Sequence, residues 1–448
     1  MEKSGVFMTM ALALLAAAAQ AQTPKPLPLA PGAVVTQLSS TPWHWSEPGI
    51  AVNPLNPKQV TVVFQYTAQA GYSTDAGHTW KLAGKVAAPH WANSGDVSTV
   101  FDNKGHAIIC YITFDKLGTM NYWAHGAIRN GIYVRRSLDG GATWEPDVYK
   151  VVAQPTEPGI PFEDKPYLVA DTAKTSPFDG NLYIGWTRWT ITDSRMMFTR
   201  STDDGLTWSN PIEISKERGL PRDDNGALEG FDGAVAPDGR LYAVWALNDH
   251  IVFTESKDGG KTFTPTRNIV RTAPTMFAIE GMGRANGFPQ IAVDARGGRH
   301  GGPIYVTWSD YRNGDIDVWL IVSRNHGRTW SAPIRVNNDP VHDGADQFFQ
   351  WLAVDPVTGD VYVDFYDRRA DPKDRMTTVT LARSTDQGKT FANYAWTTKP
   401  FNTAGVFMGD YSALTAWDGR VYGAWASREG TARTTVVQVG VADFGSKP

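Results

Sequence analysis

Cysteine is almost missing from this 448-residue chain. Cys110 stands alone, so an intrachain disulfide is excluded and the fold has to be held by its core. Net charge is nearly missing too. Lys+Arg 42 against Asp+Glu 46 leaves −4, which excludes a nucleic-acid binder that works by net positive charge. After the first twenty or so residues no apolar run approaches the length of a membrane span. The nine histidines are scattered and, with one cysteine, offer no zinc-ligand spacing. In their place stand Gly 43, Pro 28, Trp 17, Tyr 16 and Phe 19. That combination predicts many turns joining short strands around large aromatic cores. Hydrophobic residues at 42% and charged residues at 20% are globular proportions, not disordered ones.

The N-terminus reads as a secretory signal. Lys3 supplies a small positive region, Val6 to Ala19 is apolar, and Ala19-Gln20-Ala21 offers a small-x-small cleavage pattern. Residues 1–21 are therefore expected to be a signal peptide and residues 22–31, with four prolines, a tether. A single folded domain over 32–448 is expected, exported to the periplasm or the medium, with no membrane or nucleic-acid partner and monomeric.

One pattern fixes the architecture. Ser-x-Asp-x-Gly-x-Thr-aromatic occurs six times, beginning at Ser73, Ser137, Ser201, Ser256, Ser323 and Ser384, with Asn325 replacing the aspartate in the fifth copy. The copies stand 55 to 67 residues apart, the length of one four-stranded propeller blade with its loops. The aspartate caps its own turn, the glycine takes a positive φ, and the aromatic turns inward, so these residues are read as structural. A second pattern, an apolar strand, a turn and a strand ending in aromatics, occurs seven times, from Ile50 to Trp425. The seventh unit has three strands, and Gly32 to Ser39 is a strand without a partner. An all-β fold follows: a seven-bladed β-propeller closed by the N-terminal strand, with six blades as the alternative.

In a propeller the loops leading into the innermost strands share one face with the loops joining second and third strands, opposite the Ser-x-Asp turns. The first set carries Trp45, Glu47, Asn93, Asp96, Glu163, Asp164, Lys165, Glu229, Asp232, Arg284, Asn286, Asp346, Gln347, Gln350, Asp410 and Tyr411. The second carries Asp115, Arg188, Asp193, Arg195, Asp310, Arg312, Asp315, Asp317 and the stretch Asp364 to Arg375. A polar funnel lined by carboxylates, arginines and aromatic rings is the expected binding site. Asp96, Asp164, Asp232 and Asp346 form an axial set that would suit a hard cation such as Ca²⁺. Pairing with Lys165 and backbone N–H groups is the favoured alternative, and no other cofactor is expected. Cys110, within a strand, is read as a small buried hydrophobe.

The six turns on an exported propeller resemble the bacterial sialidase (neuraminidase) superfamily, where they are called Asp-boxes or BNR repeats. The resemblance spans nearly the whole chain after residue 31. It implies a retaining glycoside hydrolase with a tyrosine nucleophile, a glutamate activator, an aspartate acid and three arginines on the substrate carboxylate. Tyr411-Ser412-Ala413-Leu414 resembles the segment carrying that nucleophile, and Ile132 to Arg136 resembles the run into the first box. By this resemblance Tyr411, Asp115 and Glu229 are the catalytic candidates. Arg312, Arg368, Arg188, Asp410 and Trp45 are the substrate-binding ones, and the partner is a glycan or acidic sugar. The family's Arg-Ile-Pro segment has no counterpart, since the matching strands begin Glu47-Pro48-Gly49-Ile50 or Gly95-Asp96-Val97. Two alternatives therefore stand beside the sialidase-like hydrolase. One is a lyase or hydrolase for uronic-acid polysaccharide, with a tyrosine or His44 taking the proton, and the other is a non-catalytic glycan-binding propeller.

Overall fold

Runs such as Ile304–Asp310 and Val361–Asp367 are buried at every position, as strands sandwiched between two neighbouring sheets must be. The computed structural model describes residues 26–445 apart from 40–41, 67, 87–90, 159, 275, 278, 299–300 and 431–432. The expected signal peptide and residues 22–25 lie outside the described residues. Among these residues every named element is a strand, and seven sheets form a ring. The seven-bladed reading holds and the six-bladed alternative falls.

Six blades are antiparallel meanders of four strands whose innermost strands are Gly49–Val52, Asn93–Phe101, Phe162–Ala170, Leu228–Val235, Gln290–Val293 and Gln347–Val354, the last of them carrying a fifth short strand, Phe401–Asn402, paired with Met376–Ser384. The seventh consists of Ala413–Trp417, Arg420–Ser427 and Val436–Asp443, and its fourth strand is Val34–Gln37 from the other end of the chain. Val34 pairs with Val441 and Gln37 with Gln438. Just beyond, Leu38 is buried against Gly71 of the first blade, where a Cβ would lie 2.8 Å from a Leu38 methyl. Part of the expected tether is docked: Ala30 N–H donates to Ala395 O at 3.0 Å, and Asp443 N–H to Pro31 O at 2.8 Å.

Apolar layers between adjacent blades form the core. Tyr242, Val244 and Phe253 of the fourth blade meet Ile304, Val306 and Trp308 of the fifth. The aromatics that end the second strands, Trp186, Trp245, Trp308 and Trp425, are all fully buried. The six Ser-x-Asp turns join third to outer strands. In each, the serine Oγ accepts the N–H of the glycine four residues on at 2.8–3.0 Å. The acidic side chain accepts the threonine N–H four residues on. Asn325 keeps that bond at 2.9 Å and donates its amide to the Thr329 hydroxyl. These turns lie at the end of the blades away from the innermost-strand starts, so the polar mouth opens on the opposite face.

Candidate functional site

Four innermost strands break register where they reach the mouth: between Gly95 and Ser98, Asp164 and Tyr167, Glu229 and Asp232, and Phe348 and Trp351. Each bulge holds one residue at positive φ, namely Asp96 (45°), Lys165 (49°), Gly230 (77°) and Phe349 (52°). For the non-glycine residues the left-handed backbone costs about 1–2 kcal/mol each. Such strain persists where the surroundings over-determine it, and bulges of this kind re-aim side chains beside functional sites. Here they turn Asp96 and Lys165 towards the axis. Glu47, ahead of the first blade, also has a positive φ of 50°. It is accommodated by Gly409 (φ 89°), where a Cβ would lie 2.7 Å from Glu47 Cγ.

Glu47, Asp96 and Lys165 line a cavity of about 590 Å³ at the axis. Its lining includes seven carboxyl residues (Glu47, Asp96, Asp115, Asp164, Asp223, Glu229, Asp410) against three cations (Lys116, Lys165, Arg284). Tyr66, Phe114, Trp123 and Phe407 supply aromatic surface.

A charge network forms the floor. Lys165 Nζ donates to Asp410 Oδ2 at 2.9 Å and lies 3.6 Å from Glu229 Oε1. Arg284 grips Asp410 with Nε on Oδ1 at 2.9 Å and Nη2 on Oδ2. Its Nη1 donates to Asp223 Oδ2 at 2.5 Å, the same oxygen that accepts Trp123 Nε1–H at 3.0 Å. Lys165 Nζ also lies 4.5 Å from the Phe288 ring centre and 5.4 Å from that of Tyr411. Three lining carboxyls keep a buried oxygen without a protein partner: Glu47 Oε2, Asp223 Oδ1 and Glu229 Oε2.

The environment drives the acids apart. Burial, reinforced by the Asp223 charge, raises the Glu229 carboxyl well above the usual carboxylate range. Burial and the neighbouring Asp96 do the same to Glu47 and Asp164. Asp410 is also buried, but Arg284 and Lys165 outweigh that and hold it far below its ordinary value. Lys165 stays charged, because Asp410 and Glu229 overcome its desolvation. Carboxyls pushed towards protonation and a carboxylate held ionised thus share one floor, the arrangement that general acid–base chemistry needs.

Of the catalytic and substrate-binding candidates, Asp115, Glu229 and Asp410 line this cavity, as do Glu47, Asn93, Asp96, Asp164, Lys165 and Arg284 of the expected mouth set, and Tyr411 stands just behind it. Asp115 belongs to the rim, where it accepts from Arg129 Nε at 2.6 Å and from Ala92 N–H at 3.2 Å. The Tyr411 phenol donates to Val97 O at 3.4 Å, and burial with the surrounding Glu47, Asp96 and Asp410 raises its pKa.

The arginines correct the expectation of a substrate-gripping set. Arg312 forks onto Asp310, two residues away, and stacks over Trp308 and Trp319. Arg368 is fully buried, bonded to Asp374, Thr377, Thr403 and the Glu280 carbonyl. Arg188 is held by Glu163 of its own blade. Trp45 packs edge-on against Phe64. None of the four lines the cavity, where Arg284 is the one arginine among the described residues.

The axial acids do not gather as a cation site either. Asp232 accepts from Gly233 and Ile291 N–H, Asp346 from Ile316 N–H, and Asp164 from Trp189 Nε1–H. Among the described residues no three His, Cys, Asp or Glu side chains form a metal-holding group.

Sequence reasoning missed Asp223 and Trp123. Asp223 lies in the connection into the fourth blade, and Trp123 in the long second-to-third-strand loop over 115–129, both outside the repeat. The length of that loop was the one available signal.

No protein-family profile matches the chain, and no curated protein matches it in sequence. Solved structures share its fold. An ulvan lyase of polysaccharide lyase family PL25, bound to a -[GlcA(1-4)Rha3S]- ligand, aligns over 92% of this chain and 96% of its own with 11% identity and a TM-score of 0.53. The Hadza microbial sialidase aligns over 86% of this chain and 73% of its own at 18% identity, TM-score 0.51. A protein of unknown function from Dyadobacter fermentans aligns over 92% and 100% at 13% identity, TM-score 0.50.

Proposed function

We propose that the chain is a glycan-acting enzyme, a glycoside hydrolase that works with two carboxyl groups, Glu229 and Asp223. The observation that carries this reading is their unequal pairing on the cavity floor. Glu229 is pushed towards its protonated form by burial and by the charge of Asp223. Asp223 has one oxygen fixed by Arg284 and Trp123 and the other without a partner. Glu229 would protonate the glycosidic oxygen as the bond to the anomeric carbon breaks. Asp223 would either accept a proton from the attacking water or add to that carbon itself. The aromatic lining offers apolar faces for a sugar ring. Two fold neighbours, a sialidase and an ulvan lyase, are named for action on glycans, which supports a glycan substrate.

A panel of chromogenic glycosides tests the reading. Release of aglycone by the wild type, lost in Glu229→Gln and Asp223→Asn, is the expected result. Glycan-array binding without turnover on any substrate would establish a binding propeller instead.

The second reading keeps the sialidase-type tyrosine nucleophile and is favoured by Tyr411-Ser412-Ala413-Leu414 at the opening of the last blade. It requires Tyr411→Phe to abolish hydrolysis of a fluorogenic sialoside, whereas the two-carboxyl reading leaves the phenol dispensable for bond cleavage.

Export is proposed from the apolar run Val6 to Ala19 and the Ala19-Gln20-Ala21 pattern that follows it. The mature protein should begin at Gln22 when its N-terminus is sequenced from the periplasm or medium.

A further inference from the structure

Asp410 occupies the place that a ligand carboxylate would have to take. Arg284 presents Nε and Nη2 to its two oxygens, the two-pronged geometry that arginine uses on carboxylates. Lys165 Nζ adds a third donor at 2.9 Å. Asp410 is 3% exposed, while 27% of the Arg284 side chain remains accessible, so a guanidinium that lines the cavity is neutralised from beneath. The chain cannot easily withdraw this carboxylate. Asp410 N–H donates to Glu47 Oε1 at 3.2 Å, and its carbonyl accepts Asn286 Nδ2–H at 2.9 Å. The remaining charged partners are taken as well, Arg284 Nη1 by Asp223 and Lys165 by Glu229. A ligand anion placed here would face the charge of Asp223 and the protonation-prone carboxyls of Glu47 and Glu229, while the floor cations Lys165 and Arg284 are already paired, and like charges brought together cost affinity. The unpartnered oxygens of those three residues suit sugar hydroxyls instead.

We infer that Asp410 is a built-in substitute for a substrate carboxylate: it plugs the Arg284–Lys165 anion site and makes the cavity select uncharged sugars over sialic and uronic acids. The sugar part of this statement rests on the proposed function, whereas the plugged anion site does not.

Two variants test it. Asp410→Ala opens the site, and Asp410→Asn keeps the shape and the backbone ties while removing the charge. Thermal melting is followed in formate and in chloride at equal ionic strength, and glucuronate and glucose are titrated calorimetrically. The expected result is a lowered melting temperature in Asp410→Ala that formate restores and chloride does not, with the wild type indifferent. Asp410→Asn should bind glucuronate at least about tenfold more tightly than the wild type does. Should Asp410→Ala give no cooperative melt, the Asp410→Asn titration decides. The inference is overturned if formate acts no differently from chloride on Asp410→Ala and Asp410→Asn gains nothing for glucuronate. It is also overturned if the wild type binds or cleaves a sialoside or uronide in preference to its uncharged counterpart. Absence of turnover on every glycoside would defeat the hydrolase reading and leave the formate result intact, so the two failures are separable.

Discussion

Glu229 and Asp223 carry the same functional group and stand in different surroundings, on which the proposed division of tasks rests. Replacing either by its amide should lower kcat by about 10²–10⁴-fold, measured on the best glycoside of the panel. The pH profile gives a sharper check. The proposed acid role requires protonated Glu229, so kcat/KM should fall as pH rises through its raised pKa. Asp223→Asn removes the charge that helps raise it, so in whatever activity remains that limb should move to lower pH. A second acid sets the stability profile. Burial pushes Asp232 up to about 7, despite the two amides that hold it. Its unfolded value is about 4. Between these values the native protein keeps a proton that the unfolded chain has lost, so stability should decrease as pH rises from about 4 to 7. Asp346, raised to about 7, and Asp171, raised to about 6, act in the same direction. Melting temperatures should be higher at pH 5 than at pH 8, with the gap reduced in Asp232→Asn. At this scale the sequence was only half readable. Tyr411, Glu229 and Asp410 could be placed at the mouth because each opens a blade. Arg312 and Arg368 lie outside the cavity, because a position on a mouth-side loop does not say which acid will claim the side chain. Asp310, two residues from Arg312, claims one, and Asp374, six from Arg368, claims the other.

In four blades the turns and the bulges divide the work between the two ends. In the second turn Asp139 accepts the Thr143 N–H at 2.8 Å and its hydroxyl at 2.6 Å, and takes a hydrogen bond from Ser137 at 2.8 Å. Asp139→Ala should cost about 1–2 kcal/mol in urea unfolding, since these exposed bonds are worth about 1 kcal/mol or less apiece. Asn325→Asp should be neutral or slightly stabilising, because it lets Thr329 donate to the side chain as threonine does in the other five turns. The turns could be read to the residue, since their chemistry demands serine, aspartate, glycine and threonine at fixed spacing. The bulges could not. Asp96, Lys165, Gly230 and Phe349 share a backbone conformation and no chemical property, so the feature that aims the floor residues leaves no common mark in the sequence.

Blade number was legible for a topological reason: six turns but seven strand units, with one strand left over near each end of the fold. Pairing Val34–Gln37 with Val436–Asp443 joins those two remainders. Deleting residues 32–39 should lower the melting temperature and produce higher-order species in size-exclusion chromatography, because it uncovers the edge of a sheet whose pairing groups would seek another chain. The same pairing also dictates an order of events. Val34 cannot meet Val441 until almost every residue has been synthesised, so the first-made strand must wait for the last-made one while the six intervening blades assemble. Contacts so distant along the chain are slow to form. A half-finished molecule therefore carries an unclaimed β-strand at its leading end, and a neighbour that has finished its own last blade too early offers that strand the wrong home.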